Sequence, residues 1–120
     1  MNKSYIELTD NINRGIVELR KFVPDVLGGF GAMAKGAMKA GALTEAEKEL
    51  IALALGVAGH CDGCIGFHVK ALVRLGVTRE QVMEALGVVV YMGGGPSLMY
   101  AAEAVHAFDE FTAQKTNAPL

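Results

Sequence analysis

The chain has 120 residues, a formal net charge of −2 and 52% hydrophobic residues, with a mean hydropathy of +0.32. That length fits one domain, residues 1–120, large enough to bury a core without disulfide staples. The basic residues are scattered rather than striped, so the electrostatic footprint of nucleic-acid binding is missing. An apolar share this high on a small chain usually ends in subunit contact, so a homo-oligomer is expected.

The predicted elements are all helices. The start, MNKSYIELTD, carries Glu7 and Asp10 and no apolar run. It does not read as a signal peptide, so the expected location is cytoplasmic, where thiols are kept reduced. Ser4 and Glu7 have capping-box spacing and open a first helix to about Phe22. Pro24 starts a second, rich in Ala, Gly and Met, which stops near Ala40 before Gly41. Thr44 with Glu47 caps a third, through the apolar run Leu50 to Ala58. The fourth begins near Cys61 and ends at Gly76. Thr78 with Gln81 caps the fifth, to about Met92, and Pro96 opens a sixth, to about Gln114. Residues 115–120 are expected to fray. The stretch from Ala85 to Ala102 is long and apolar enough to raise a membrane span, but Gly93, Gly94, Gly95 and Pro96 interrupt it. Two helix ends meeting at a turn are predicted there instead, with no membrane partner. No segment alternates as a strand, so the fold class is all-α, a bundle of about six short helices.

The chemistry gathers at the start of the fourth helix. Cys61, Cys64 and His68 fall at i, i+3 and i+7, on one stripe with Ile65, Leu72 and Leu75, while Lys70 and Arg74 fall opposite. Two sulfurs spaced C-x-x-C at a helix start can close a disulfide within one turn. The N–H groups and partial positive charge of the helix end favour thiolate over thiol. His68, one turn beyond Cys64, is placed to accept a proton from it. Glu49 precedes the apolar run of the third helix. It reads either as a partly buried carboxylate suited to proton transfer or as a solvated first-turn charge beside Glu45 and Lys48. His60 reads as a source of positive charge next to Cys61 or as a loop residue. His106, one turn from Glu103, reads as its surface or interface partner. Met33, Met38, Met83, Met92 and Met99 read as core filler; Tyr91 and Tyr100, flanking the Gly-Pro turn, read as core or as the lining of a pocket. Structural zinc wants four ligands, usually with a second Cys or His pair, and the chain has two cysteines. The Gly-rich stretches follow no strand, so no dinucleotide site is predicted. No cofactor and no metal are expected.

The stretch from Glu49 to His68, ELIALALGVAGHCDGCIGFH, resembles the redox branch of the AhpD-like, carboxymuconolactone decarboxylase-like superfamily. That branch carries E-x11-C-x-x-C-x3-H, and Glu49, Cys61, Cys64 and His68 match the spacing. The likeness continues through LGVTREQVMEAL, residues 75 to 86, and the Gly-rich turn after Tyr91. It covers roughly residues 20 to 110. The resemblance implies an all-helical trimer or hexamer acting as an alkylhydroperoxidase or a thiol–disulfide oxidoreductase. Cys64 is then the nucleophile, Cys61 the resolving thiol, and Glu49 with His68 the proton relay. A hydroperoxide or protein disulfide is the implied substrate. An outside dithiol, lipoyl or thioredoxin-like, is the implied reductant. Gly63 stands where AhpD proper often carries a His. The decarboxylases of the superfamily generally lack the C-x-x-C pair. A lyase using His68 and Glu49, and a non-catalytic redox switch, are the alternatives.

Overall fold

A computed structural model describes residues 3–117. The chain forms five helical elements: α1 (Tyr5–Phe22), α2 (Pro24–Met38), α3 (Glu45–Ala58), α4 (Asp62–Arg74) and α5 (Arg79–Thr116). Among the described residues there is no strand, and the all-helical class expected from the sequence holds. The difference is in the count, because the predicted fifth and sixth helices run together as α5. Inside it, Gly94 leaves helical geometry at φ 73°, ψ −158°, a conformation open to glycine and few other residues. Arg79 at the start of α5 donates to Asp109 at 2.9 and 3.1 Å, 30 residues along the chain. A straight helix would separate them by about 45 Å. The element is therefore doubled back at Gly94 into two arms. By length and composition α5 has what a membrane-crossing helix needs, but its backbone turns in the middle of the apolar stretch.

The helix ends follow the sequence signals. Thr44 with Glu47 and Thr78 with Gln81 make complete capping boxes. Ser4 makes only half of one: its Oγ accepts the Glu7 N–H and donates to Glu110 of α5 at 2.6 Å. Glu110 also accepts the Tyr5 N–H at 2.7 Å, so α5 caps α1. The last element runs to Thr116, and the rest of the predicted fraying tail, residues 118–120, lies outside the described residues.

The core lies between α3, α4 and the two arms of α5. Leu53 and Val57 come from α3, and Ile65, Val69 and Leu72 from α4. Val82, Leu86 and Val89 line one arm of α5; Ala101, Ala104, Ala107, Phe108 and Phe111 line the other. Apart from the adjacent Ala107 and Phe108, each set repeats at three- or four-residue spacing, the stripe a buried helix face requires. Tyr5 of α1 is fully buried against them. α2 buries no residue. Its Val26, Phe30 and Met33 share one face and stay 67%, 64% and 63% exposed. The expectation that the methionines fill the core is corrected here: Met33, Met83, Met92 and Met99 are all exposed and Met38 is half-buried, because each lies off the buried stripe of its helix. Tyr91 is likewise exposed rather than core.

Candidate active site

The turn from α3 to α4 builds the site. α3 ends at Gly59, His60 adopts the left-handed conformation at φ 54°, and two backbone bonds close the turn. His60 N–H donates to the Val57 carbonyl at 3.1 Å and Cys61 N–H to the Gly56 carbonyl at 2.9 Å. This is a Schellman ending with histidine in the place glycine usually takes. The ring of His60 stacks on Tyr100 of α5, with centroids 4.6 Å apart and planes 7° from parallel. That stacking offsets part of the backbone strain. So His60 is the turn residue among its two sequence readings, and Tyr100 is its half-buried support.

The residue that completes the α3 ending also begins α4. Cys61 is the N-cap of α4, and its Sγ accepts the backbone N–H of Cys64 at 3.2 Å. Serine, threonine or aspartate usually fills that role. Here a sulfur receives the N–H and the partial positive charge of the helix end. Cys61 and Cys64 are joined as a disulfide, with Cα atoms 5.2 Å apart. Both are half-buried. The buried face of α4 is centred on Ile65, Val69 and Leu72, and Cys64 and His68 sit on its flank. Lys70 and Arg74 are exposed on the other side, as the spacing predicts.

The close crossing of α3 and α4 brings in Glu49. Gly56 lies where the helices touch; a Cβ there would come within 2.9 Å of the Cys64 Cβ. That approach lets Glu49, one element earlier, reach His68: Oε2 is 2.7 Å from Nδ1. The Glu49 side chain is 8% exposed and that of His68 32%. Of the two sequence readings of Glu49, the solvated first-turn charge is excluded. A buried carboxylate at this distance accepts the Nδ1–H and leaves Nε2 as the basic nitrogen of His68. All four residues singled out from the sequence therefore belong to one locality. Among the described residues no cluster of His, Cys, Asp and Glu is arranged to hold a metal ion.

A second polar network borders the site, with little sign of it in the residue pattern. Asp62, the residue after Cys61, pairs with Lys3 at 3.2 Å. Lys3 also pairs with Glu103 of α5 at 2.5 Å, and Glu103 accepts the Tyr5 hydroxyl at 2.8 Å. Burial opposes the charge of Glu103, but the hydrogen bonds from Lys3 and Tyr5 outweigh it and hold its carboxyl below the usual range. Tyr5 is pushed far above the usual phenol range, first by burial and then by Glu103. His106, read as a surface or interface partner of Glu103, contacts the Lys3 carbonyl through Nε2 at 3.0 Å. Only the one-turn spacing of Glu103 and His106 was visible beforehand.

Comparison with known proteins agrees with this fold. The family model of the carboxymuconolactone decarboxylase family matches residues 24–107. The crystal structure of an apo carboxymuconolactone decarboxylase family protein from Legionella pneumophila superposes with a TM-score of 0.89. It is 53% identical, over 90% of this chain and 96% of that one. An uncharacterized protein of Cupriavidus necator is 42% identical over 85% of this chain and 90% of its own length. The alkyl hydroperoxide reductase AhpD of Mycobacteroides abscessus is 40% identical over 50 residues, 42% of this chain and 29% of its own.

Proposed function

The chain belongs to the carboxymuconolactone decarboxylase family, and from that premise we propose that it is a thiol-dependent peroxidase or thiol–disulfide oxidoreductase of the AhpD type. The observation that carries the reading is the Cys61–Cys64 disulfide at the N-terminus of α4, with the Glu49–His68 pair one turn along the same helix. Decarboxylation needs no such disulfide.

In this reading Cys64 is the nucleophile. Nε2 of His68 takes its proton, and Glu49 fixes the ring and balances the imidazolium charge. The thiolate attacks a hydroperoxide, the O–O bond breaks, the alcohol leaves, and Cys64 becomes a sulfenic acid. Attack by Cys61 releases water and closes the disulfide. With a protein disulfide as substrate, a mixed disulfide on Cys64 takes the place of the sulfenic acid. An outside dithiol, lipoyl or thioredoxin-like, then attacks Cys64. Cys61 departs as a thiolate held by the Cys64 N–H and the helix end. The setting is cytoplasmic, and the working form is a homo-oligomer, trimer or hexamer. The uncovered apolar face of α2 supports the oligomer.

The test is to titrate the reduced protein with stoichiometric hydroperoxide and then with dihydrolipoamide, following free thiols and intact mass. Rapid loss of both thiols as one disulfide, recovered by the dithiol, is the expected result. Cys64→Ser is expected to abolish turnover, and Cys61→Ser to stop at the sulfenic acid. A Cys64→Ser protein with full peroxidase rate would refute the assignment. Lactone decarboxylation surviving in the double Cys→Ser variant would put the Glu49–His68 lyase first.

A further inference from the structure

We propose that Lys3 sets the redox balance of the Cys61–Cys64 pair by neutralising Asp62. The proposal rests on reading that pair as redox-active. Asp62 is the first helical residue of α4, between the Cys61 cap and Cys64. Its carboxylate and the thiolate compete for one helix terminus, and each disfavours the other's charge. One carboxylate oxygen, Oδ1, is buried with no hydrogen-bond partner. The other, Oδ2, faces Lys3 Nζ at 3.2 Å, and Lys3 is its ion-pair partner among the described residues.

The placement of Lys3 is not left to a loose tail. Its Nζ is shared with Glu103, and its carbonyl meets His106 Nε2. The next two residues are fastened to Glu110, and the Tyr5 hydroxyl to Glu103. Three side chains on one arm of α5 thus hold the start of α1 over the start of α4. Among the described residues, the titratable groups facing this end of α4 are Lys3 from the segment before α1, His60 from the turn before Cys61, and Glu103 and His106 from α5. Glu49 and His68 lie further along, toward α3. Among the described residues, Lys3 is the cation that reaches Asp62.

The sign follows from the charges. Oxidation of the pair removes two electrons and two protons, which glutathione disulfide accepts to give two glutathione thiols. Whatever stabilises the thiolate favours the reduced pair. Lys3→Met leaves Asp62 uncompensated, raises the thiol pKa and favours the disulfide. Asp62→Asn does the reverse.

The experiment equilibrates the full chain and its variants in glutathione buffers, with iodoacetamide alkylation rate against pH as the reading of the thiol pKa. Lys3→Met is expected to raise the oxidation equilibrium constant about three- to fivefold, ~15–20 mV for a two-electron couple, the size of a partly exposed ion pair. Asp62→Asn is expected to lower it by a similar factor. The double variant is expected near the wild-type value, and Lys3→Arg at it. Thermal melting confirms that each variant is folded. Constants that do not move, or that move the same way in Lys3→Met and Asp62→Asn, overturn the proposal. The equilibrium needs neither peroxide nor a protein disulfide, so a protein with neither peroxidase nor disulfide-reductase turnover would sink the proposed function and leave this measurement standing.

Discussion

Glu49 and His68 stand 19 residues apart in the chain and 2.7 Å apart in space. The dyad is the point at which single residues become a site. A histidine free to rotate serves poorly as a base, and Glu49 fixes both ring orientation and tautomer. Glu49→Gln keeps the shape and removes the charge that balances an imidazolium. It is expected to slow thiol oxidation by about ten- to a hundredfold, less than the ~10²–10⁴ of losing direct proton transfer, because Glu49 acts through His68. The rise of rate with pH is expected to move as well. A stopped-flow pH profile checks both, and an unchanged profile would remove Glu49 from the relay. The C-x-x-C-x3-H spacing was readable because its members lie on one helix, where sequence interval sets direction. The partnership with Glu49 was readable through the family resemblance and not from helix spacing, because it spans two helices. The left-handed His60 was not readable either, since glycine is the usual signal for that conformation.

At the scale of elements, the crossing of α3 and α4 decides whether the site exists. Gly56 permits it by leaving no Cβ against Cys64. Gly56→Ala removes a helix-weakening glycine but forces the helices apart, an overpacking cost of ~1–3 kcal/mol. A lower melting temperature and slower disulfide formation are expected, the second because Cys64 and His68 move together away from Glu49. A variant that melts at or above the wild type and oxidises at its rate would show that the crossing has slack. The starts of α3 and α5 were legible in Thr44–Glu47 and Thr78–Gln81, since a capping box is a local hydrogen-bond pattern. The exposure of α2 was not. Its Val26, Phe30 and Met33 have the spacing of a buried face, and nothing local tells which apolar stripe finds a neighbour.

Over the whole molecule, two features follow from how the elements assemble. The first is acid sensitivity. The folded state holds the Glu103 carboxyl below its ordinary value of 4.5. Its contribution to stability is therefore present above that value and is lost as pH falls through the lower folded one. Glu103→Gln is expected to shrink the drop in melting temperature between neutral and strongly acidic pH. Equal drops in variant and wild type would place the acid-sensitive contact elsewhere. The second is association. With Phe22, Phe30, Tyr91 and Met92 all exposed, native mass spectrometry is expected to give a multiple of the 12.7 kDa chain mass. A native mass equal to one chain would refute the oligomer.

The sequence by itself determined what is local. Helix starts, the all-helical class and the alignment of Cys61, Cys64 and His68 depend on residues within a turn or two of each other. Tertiary structure decided whatever joins distant segments. The pairing of the two α5 arms through Arg79 and Asp109, the burial of Glu49 against His68 and the fastening of Lys3 beside Asp62 are of this kind. The reason is physical. A helix fixes the direction of its own side chains through a regular backbone. The distance between side chains on different helices is set by how closely the backbones approach, and here that rests on which small residues meet at the crossing.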